Sequence, residues 1–320
     1  MCQIMELISF VIPCYGSEKT VEPVIKEIKQ TVAGKDGYDY EIIAVNDCSP
    51  DNVWNVLVGL AKEDKRVKPV HLAKNMNRPG AVMAGLNLAE GDIVIIMDDD
   101  GQCPMDKLFD LIEPLHNGYD VSMADYPERK QSVFKDFGTI VNKKMTEWVI
   151  DRPKDLQFTN FMALKKYIVK EIVKYDNPYP YMTGLILRST DSIKNVPMEE
   201  RSRLEGRTTF TFSKMLKLWV NGLTAFSIKP LRVSSLLGFV CAALGALFGL
   251  ITIIRKLLNP AISEGWSSIV AIILFVGGLI MLMLGMIGEY LGRIYISINE
   301  SPQFVIREKI NFEKRENRDE

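Results

Sequence analysis

Residues 93–104 read IVIIMDDDGQCP. Five apolar side chains, Ile93 to Met97, run straight into Asp98, Asp99 and Asp100, and Gly101, Gln102, Cys103 and Pro104 follow. A continuous apolar run of this length suits a strand buried on both faces, as in a parallel sheet. Three adjacent carboxylates repel, and each raises the others' pKa unless a positive charge sits among them. The strand therefore ends either in an acidic turn satisfied by water or in a cation site.

The chain upstream helps to decide. Leu7–Ile12 (LISFVI) is an apolar run closed by Pro13, and Val21–Val32 puts Val24, Ile25 and Ile28 on one helical face. Glu41–Val45 reads as a second strand ending at Asn46 and Asp47, Asn52–Lys62 as a helix, and Val67–Leu72 as a third strand. Gly80–Ala89 reads as a third helix and Asp92–Met97 as the fourth strand. This alternation predicts an α/β domain with a Rossmann-like, mainly parallel sheet. Polar residues collect just past the strand ends: Tyr15 and Glu18, Asp47, and Asp98 to Gln102. Ligands of open α/β sheets bind at that carboxyl edge, so three clusters on it favour a site over an acidic turn.

The sequence lacks GxGxxG, which argues against a dinucleotide dehydrogenase. Gly80 to Gly85 (GAVMAG) has a superficial likeness to a phosphate loop, but no Lys-Ser/Thr pair follows, which argues against a Walker-type NTPase. Carboxylates at a strand end suit Mg²⁺ or Mn²⁺, which take oxygen ligands and share them with substrate phosphates. Such an ion would neutralise a diphosphate and help it leave.

The whole chain has 320 residues and a net charge of −1, enough length for a sizeable core and no global charge that would attract nucleic acid. Its five cysteines, Cys2, Cys14, Cys48, Cys103 and Cys241, show no CxxC spacing, so reduced thiols in a cytosolic domain are expected rather than zinc or a disulfide framework. No cleavable signal peptide is expected, because the first apolar run is short and leads into VIPCYG. The end of the chain, INFEKRENRDE, reads as a charged, solvated tail.

Leu236–Ile254 and Ile269–Ile287 are each 19 residues without a charge, long enough to cross a bilayer core. Helices of a soluble core usually keep a polar face, which neither run has. The short link RKLLNPAISEGWSS makes them a hairpin with both flanks on one side. Lys214, Lys217, Lys229 and Arg232 precede it and Arg293, Arg307 and Lys309 follow, against Arg255 and Lys256 in the link. The positive-inside rule then places the N-terminal region and both termini in the cytoplasm. Glu289 reads as an interfacial cap of the second span, ahead of an intramembrane functional charge. Met215, Leu216, Trp219 and Leu223 fall at helical spacing among basic residues, which fits an interfacial helix or an ordinary amphipathic helix on the soluble domain. The expected division is a catalytic domain over 1–210, an interfacial segment over 211–232, a membrane hairpin over 233–292 with spans about 236–256 and 268–289, and a cytoplasmic tail over 293–320.

Six stretches then fall in a telling order: VIPCYGSEKTV (11–21), VNDCSPDNVW (45–54), NMNRPGAVMAGLNLAEGD (75–92), MDDDGQCP (97–104), RLEGRTTF (203–210) and FSIKPLR (226–232). With the spans around and after the last of them, they resemble family 2 glycosyltransferases of the GT-A fold. Within that family they resemble the polyprenyl-phosphate glycosyltransferases, relatives of dolichyl-phosphate mannose synthase with a C-terminal membrane hairpin. The resemblance covers residues 6 to 295. It implies an inverting hexosyltransferase of the inner (plasma) membrane, dependent on Mg²⁺ or Mn²⁺. The donor is a nucleotide diphosphate sugar, a UDP-sugar ahead of a GDP-sugar, and the acceptor is a polyprenyl phosphate such as undecaprenyl phosphate. The product is a lipid-linked sugar for cell-surface glycan modification. The resemblance also implies contact with membrane lipid and a homo-oligomer, with a tetramer as the form to test.

By the same resemblance, Pro13, Tyr15, Glu18 and Asp47 hold the base and ribose, and Arg78 and Gly80 approach the nucleotide from the loop after the third strand. Asp98 and Asp100 match the DxD pair that meets nucleotide and metal, with Asp99 in the variable middle place beside the nucleotide. Gln102 lines the sugar site. Arg203 opens the R-x-x-G-x-S/T-x-Y/F element (here Arg203, Gly206, Thr208 and Phe210) and grips a phosphate, while Arg201 either assists it or is a surface charge. Two positions depart from the pattern. Gly16-Ser17 stands where relatives often have Asn-Glu, leaving Glu18 as the acidic partner. Asn160, also a catalytic candidate, stands where many relatives carry an aspartate, with Asp155 a few residues earlier. No single catalytic base is expected, because a phosphate monoester is already largely ionised at neutral pH and needs positioning more than deprotonation.

Two other readings weigh less. A processive or protein-modifying glycosyltransferase would be favoured by Q-x-x-R-W, but the four tryptophans follow Val53, Glu147, Leu218 and Gly265. A membrane scaffold with a decayed site conflicts with the intact Asp98, Asp100 and Arg203.

Overall fold

The four expected strands lie side by side and parallel. In the computed structural model, which describes residues 5–127, 153, 156–178, 180–204, 229–258, 265–299 and 302–312, β1 (Glu6–Cys14) pairs with β2 (Tyr38–Asn46) and with β4 (Ile93–Ile96), while β3 (Val67–Leu72) flanks β2. Cys14 stands opposite Asn46 and Val11 opposite Ile96. That register brings Tyr15, Asp47 and Asp98 to one carboxyl edge. Beyond the sequence expectation, β5 (Val121–Asp125) and β7 (Ile193–Pro197) pair in parallel, and β6 (Met162–Lys165) runs antiparallel between β4 and β5. The order is β7-β5-β6-β4-β1-β2-β3-β8, where β8 is Ile306–Lys309.

Alternation along β1 divides the core. Ile8, Phe10 and Ile12 join buried residues of α1 (Val21–Ala33), α2 (Val53–Glu63) and α4 (Leu108–His116) on one face. On the other face α3 (Asn77–Leu86) comes so close that a Cβ at Gly85 would lie 2.4 Å from Val11 Cγ1. α3 begins at Asn77, ahead of the expected Gly80, because Pro79 sits in its first turn, where a missing N–H costs nothing.

Residues 302–312 differ from the expected charged tail, and 313–320 lie outside the described residues. Ile306–Lys309 adds antiparallel to the outer edge of β3, and Phe304, Ile306 and Phe312 pack on Val70, Leu72 and Ala81. Gln303 is buried and donates to the carbonyls of Tyr175 and Asn177. Residues 301–320 therefore belong with 1–212 in one compact unit, and 213–300 form a second. Ile306 is followed by Arg307, Glu308 and Lys309, and this run of charge on an edge strand hides the strand pattern in a short window.

The second unit holds two helices, Lys229–Leu258 and Trp266–Ile298. Their apolar windows, Leu231–Ile251 and Phe275–Ile298, are 6% and 0% buried, and by length and composition both suffice to cross a membrane. The windows lie earlier and later, respectively, than the expected spans. The second helix continues past Glu289 to Ile298, so Glu289 does not cap it. Residues 211–228 of the expected interfacial segment lie outside the described residues, and Lys229–Arg232 open the first long helix.

Candidate active site

The site is built from four loops at the carboxyl edge. The loops after β1 and β2 are laced together through backbone N–H groups. Gly16 N donates to Ser49 Oγ (2.8 Å), Glu18 N to Asp51 Oδ2 (2.9 Å), and Asn52 N to Glu18 Oε2 (2.9 Å). Ser49 Oγ donates to Asp51 Oδ1 (2.6 Å). Glu18, expected as an acidic partner of the nucleotide, thus accepts from the start of α2. Pro13 is buried in β1 opposite Val45, and Tyr15 leaves its ring 57% exposed over the edge. Ser49 and Asp51 escaped the sequence reading, although Ser-Pro-Asp-Asn ahead of an apolar run is a helix-start signal.

Asp47 ties this pair of loops to the one after β3. It is buried, its N donates to Cys14 O (3.0 Å), and its Oδ1 accepts from Met76 N (2.6 Å). Burial lifts its carboxyl to about 6, against the opposing pull of the Met76 and Asn77 N–H groups. Gly80, three residues past Asn77, is buried, and a Cβ there would lie 2.7 Å from Met76 Cβ. Its missing side chain is therefore explained by packing within the unit. Arg78 reaches from the first turn of α3 to Asp98, Nε to Oδ1 at 2.7 Å. Its other terminal nitrogen, Nη2, is buried with no hydrogen-bond partner among the described residues.

The three aspartates face three ways. Asp98 accepts from Arg78 and, through Oδ2, from Asn160 Nδ2 (2.6 Å). Asp99 turns back to the first loop and accepts from Tyr15 N at 3.3 Å. Its burial, with the neighbouring Asp98 charge adding, lifts its carboxyl to about 7. Asp100 accepts from Gln102 N (3.1 Å) and pairs through Oδ2 with Arg203 Nε (3.2 Å), and burial raises its carboxyl as well. Gly101 makes the turn at φ +77, and a Cβ there would sit 2.6 Å from the Leu204 side chain, so both conformation and space demand glycine.

Arg203 shares its Nε between Asp100 and Gln102 Oε1 (2.7 Å). The segment carrying it is pinned to the acidic turn: Arg201 N donates to Gln102 O, Gln102 Nε2 to Arg201 O, and Leu204 N to Asp100 O, all within 3.1–3.3 Å. Arg201 is neither a free surface charge nor a second grip. Its guanidinium bridges Glu27 (2.6 Å) and Asp106, which anchors the segment to the start of α4 and to α1. No local pattern announces that brace, since its partners lie far away in sequence. Gly206, Thr208, Phe210 and Asp155 lie outside the described residues.

The donor set fits a divalent ion shared with a phosphate-bearing ligand. Among the described residues no cluster of His, Cys, Asp and Glu could cage a metal alone. Magnesium and manganese typically take one or two carboxylates and complete their shell from substrate phosphates. Asp98 and Asp100 could supply those carboxylates, and Arg78 Nη2, buried without a partner among the described residues, could donate to an anion.

Comparison with known proteins identifies the family and the fold. Residues 229–294 match the family described as GtrB C-terminal hairpin. The chain is 31% identical over 312 residues to the SfII prophage-derived bactoprenol glucosyl transferase of Shigella flexneri, covering 94% of this chain and 97% of the relative. It is 30% identical over 310 residues to the uncharacterized glycosyltransferase YkcC of Bacillus subtilis, covering 96% and 95%. In fold it is similar to glucosyl-3-phosphoglycerate synthase from Mycobacterium tuberculosis, solved with Mn²⁺, UDP-glucose and phosphoglyceric acid, with a TM-score of 0.51, 17% identity, and 67% and 76% of the two chains covered. Residues 9–172, half of the chain and all four loops of the acidic edge, match Glycosyl transferase family 2, and the chain belongs to that family.

Proposed function

We propose that this chain is a membrane-bound inverting glycosyltransferase that moves a hexose from a UDP-sugar to a polyprenyl phosphate at the cytoplasmic leaflet, giving a lipid-linked sugar for surface glycan modification. The observation that carries the reading is the pair Asp98 and Asp100, each held against an arginine on the carboxyl edge of a family 2 fold whose chain continues into two uncovered apolar helices. Relatives named bactoprenol glucosyl transferase support the lipid acceptor, and a fold neighbour solved with UDP-glucose and Mn²⁺ supports the donor and the ion.

Pro13, Tyr15 and Asp47 frame the base and ribose, with Glu18 shaping the loop that presents them. Arg78 holds Asp98 with Nε and offers Nη2 to a donor phosphate. Bound Mg²⁺ or Mn²⁺ would neutralise the leaving diphosphate, with Asp98 and Asp100 as its protein ligands. Gln102 lies between Asp100 and Arg203, at the position for the hexose. Arg203 meets the phosphate of the acceptor, whose oxygen attacks the anomeric carbon from the face opposite the departing diphosphate. Asn160 orients Asp98 and takes no proton: an aspartate at this place would set two carboxylates 2.6 Å apart. The acceptor phosphate is ionised at neutral pH, so placing and screening it replaces a base.

The boundaries follow from the same reading, with a catalytic unit over 1–210, an interfacial segment over 211–232 and a hairpin over 233–292. Residues 302–312 rejoin the catalytic unit after the hairpin, which requires an even number of crossings. With the lysines and arginines flanking the spans, this supports a cytoplasmic location for both termini of an inner-membrane protein. A homo-oligomer, tested as a tetramer by light scattering in detergent, completes the proposal. The test of function is incubation of membranes bearing the chain with Mn²⁺ or Mg²⁺, labelled UDP-sugars and undecaprenyl phosphate. A labelled lipid-extractable product is expected, and no product with any common donor would overturn the reading.

A further inference from the structure

Asp98 and Asp100 are both paired with arginine, but the two pairs are built differently. Arg78 lies on α3 with its side chain 33% exposed and one terminal nitrogen buried. Arg203 has its side chain 43% exposed, and its contacts in the site come from Nε alone, on Asp100 Oδ2 and Gln102 Oε1. Its backbone neighbours are fixed by the bonds of Arg201 and Leu204 to the acidic turn, and Arg201 is braced by Glu27 and Asp106. Arg203, half-exposed and carried by a segment whose backbone is fixed independently, can therefore swing off Asp100 without disturbing the chain that carries it.

We propose that Arg203 is an exchangeable cation: it neutralises Asp100 until a divalent ion arrives with the donor diphosphate, and that ion displaces it toward the acceptor phosphate. The proposal rests on the metal–diphosphate reading above. Charge accounting supports it. A guanidinium and a divalent ion would compete for the Asp100 carboxylate, whose Oδ2 pairs with Arg203 and whose Oδ1 accepts from Gln102 N. A divalent ion bound to a diphosphate brings little net charge, so the displaced guanidinium needs a new anion, and a phosphate monoester accepts it well. The consequence is an ordered mechanism in which donor and metal bind first and thereby release the arginine that the acceptor needs. Acceptor arriving early meets an arginine already committed to Asp100 and Gln102.

The test measures binding rather than turnover, in detergent-solubilised full-length protein. Mn²⁺ affinity is read by electron paramagnetic resonance with and without UDP, and farnesyl phosphate binding is read with and without Mn²⁺ and UDP. In the wild type, Mn²⁺ with UDP should tighten farnesyl phosphate binding about tenfold, as expected for gaining a charge-assisted contact. Arg203→Gln should bind Mn²⁺ about threefold to fivefold more tightly, the scale of a half-exposed ion pair removed, and should lose the farnesyl phosphate enhancement. Arg203→Lys should retain part of both behaviours, and thermal melting confirms that each variant is folded. Unchanged Mn²⁺ affinity in Arg203→Gln, or farnesyl phosphate binding indifferent to Mn²⁺ and UDP, would overturn the exchange while leaving the donor site intact. No Mn²⁺ or UDP binding by the wild type would instead overturn the site reading on which the exchange rests.

Discussion

The two halves of the carboxyl edge satisfy their acids in opposite ways. After β1 and β2, Glu18, Asp47 and Asp51 accept from backbone N–H groups, which cannot move without refolding a loop. After β4, Asp98 and Asp100 are held mainly by the side chains of Arg78, Asn160 and Arg203, with Gln102 sharing Arg203 and giving Asp100 a backbone N–H. Under the proposed function, the first half is a fixed frame suited to a ligand of constant shape, such as a base and ribose. The second is a set of charges that an entering ion and diphosphate would repartner. Preorganisation and exchange thus lie side by side on one sheet edge, joined by Asp99, which reaches from the β4 turn to Tyr15 N.

The sharpest way to break this contrast is to remove charge from the exchangeable half. Asp100→Asn should leave the fold unchanged and cut lipid-linked sugar formation by roughly a hundredfold or more, the scale of losing a preorganised electrostatic contact in a reaction centre. Near-normal turnover would mean that Asp100 is not a metal ligand. Next in size is Arg78→Gln, which removes the donor proposed to meet the diphosphate. UDP affinity by calorimetry should fall roughly tenfold, as for a hydrogen bond to a charged group, with little change in melting temperature. A loss of stability with UDP affinity intact would move Arg78 into the fixed half.

Asp99 tests the join. It is the middle residue of the triplet, and its carboxylate serves a backbone N–H of the frame rather than the shared ion. Asp99→Ala should cost about threefold to tenfold, mainly in apparent donor affinity, the scale of one lost hydrogen bond. It should retain more activity than Asp100→Ala. If that order reverses, the metal is held in another register along the turn.

How much of this could be read in the chain depends on how local each cause is. β1 to β4 and the acids past their ends were legible because buried parallel strands are written as uninterrupted apolar runs, as in LISFVI and IVIIM. β5 to β7 are short and follow longer irregular stretches, and their pairing is set by partners far away in sequence. β8 was illegible for a further reason: IREK shows one apolar residue among charges, and only the neighbouring β3 makes it a strand. In the site, Asp98, Asp100, Gln102 and Arg203 were found as motif residues. The anchoring of Arg201 by Glu27 and Asp106 and the recruitment of Glu18 to α2 depend on tertiary proximity that no spacing reveals.

The smallest expected effect probes the fixed half through pH. Asp47 has a folded pKa lifted from 3.8 to about 6, so the folded chain binds its proton more tightly than the unfolded chain does. Its contribution to stability is then fully present below about pH 4 and is lost as pH rises through about 6, the opposite of a salt-bridged aspartate. Asn at this place keeps an oxygen for Met76 N and carries no charge to desolvate. Melting curves of wild type and Asp47→Asn should therefore nearly coincide at pH 4 and separate toward pH 7.5, with the variant melting higher. Parallel curves across that range would show that Asp47 is solvated well enough to ionise freely. The loops after β1 and β2 would then lose their claim to be a dry, prebuilt frame, and the contrast with the β4 turn would narrow to a difference in partners alone.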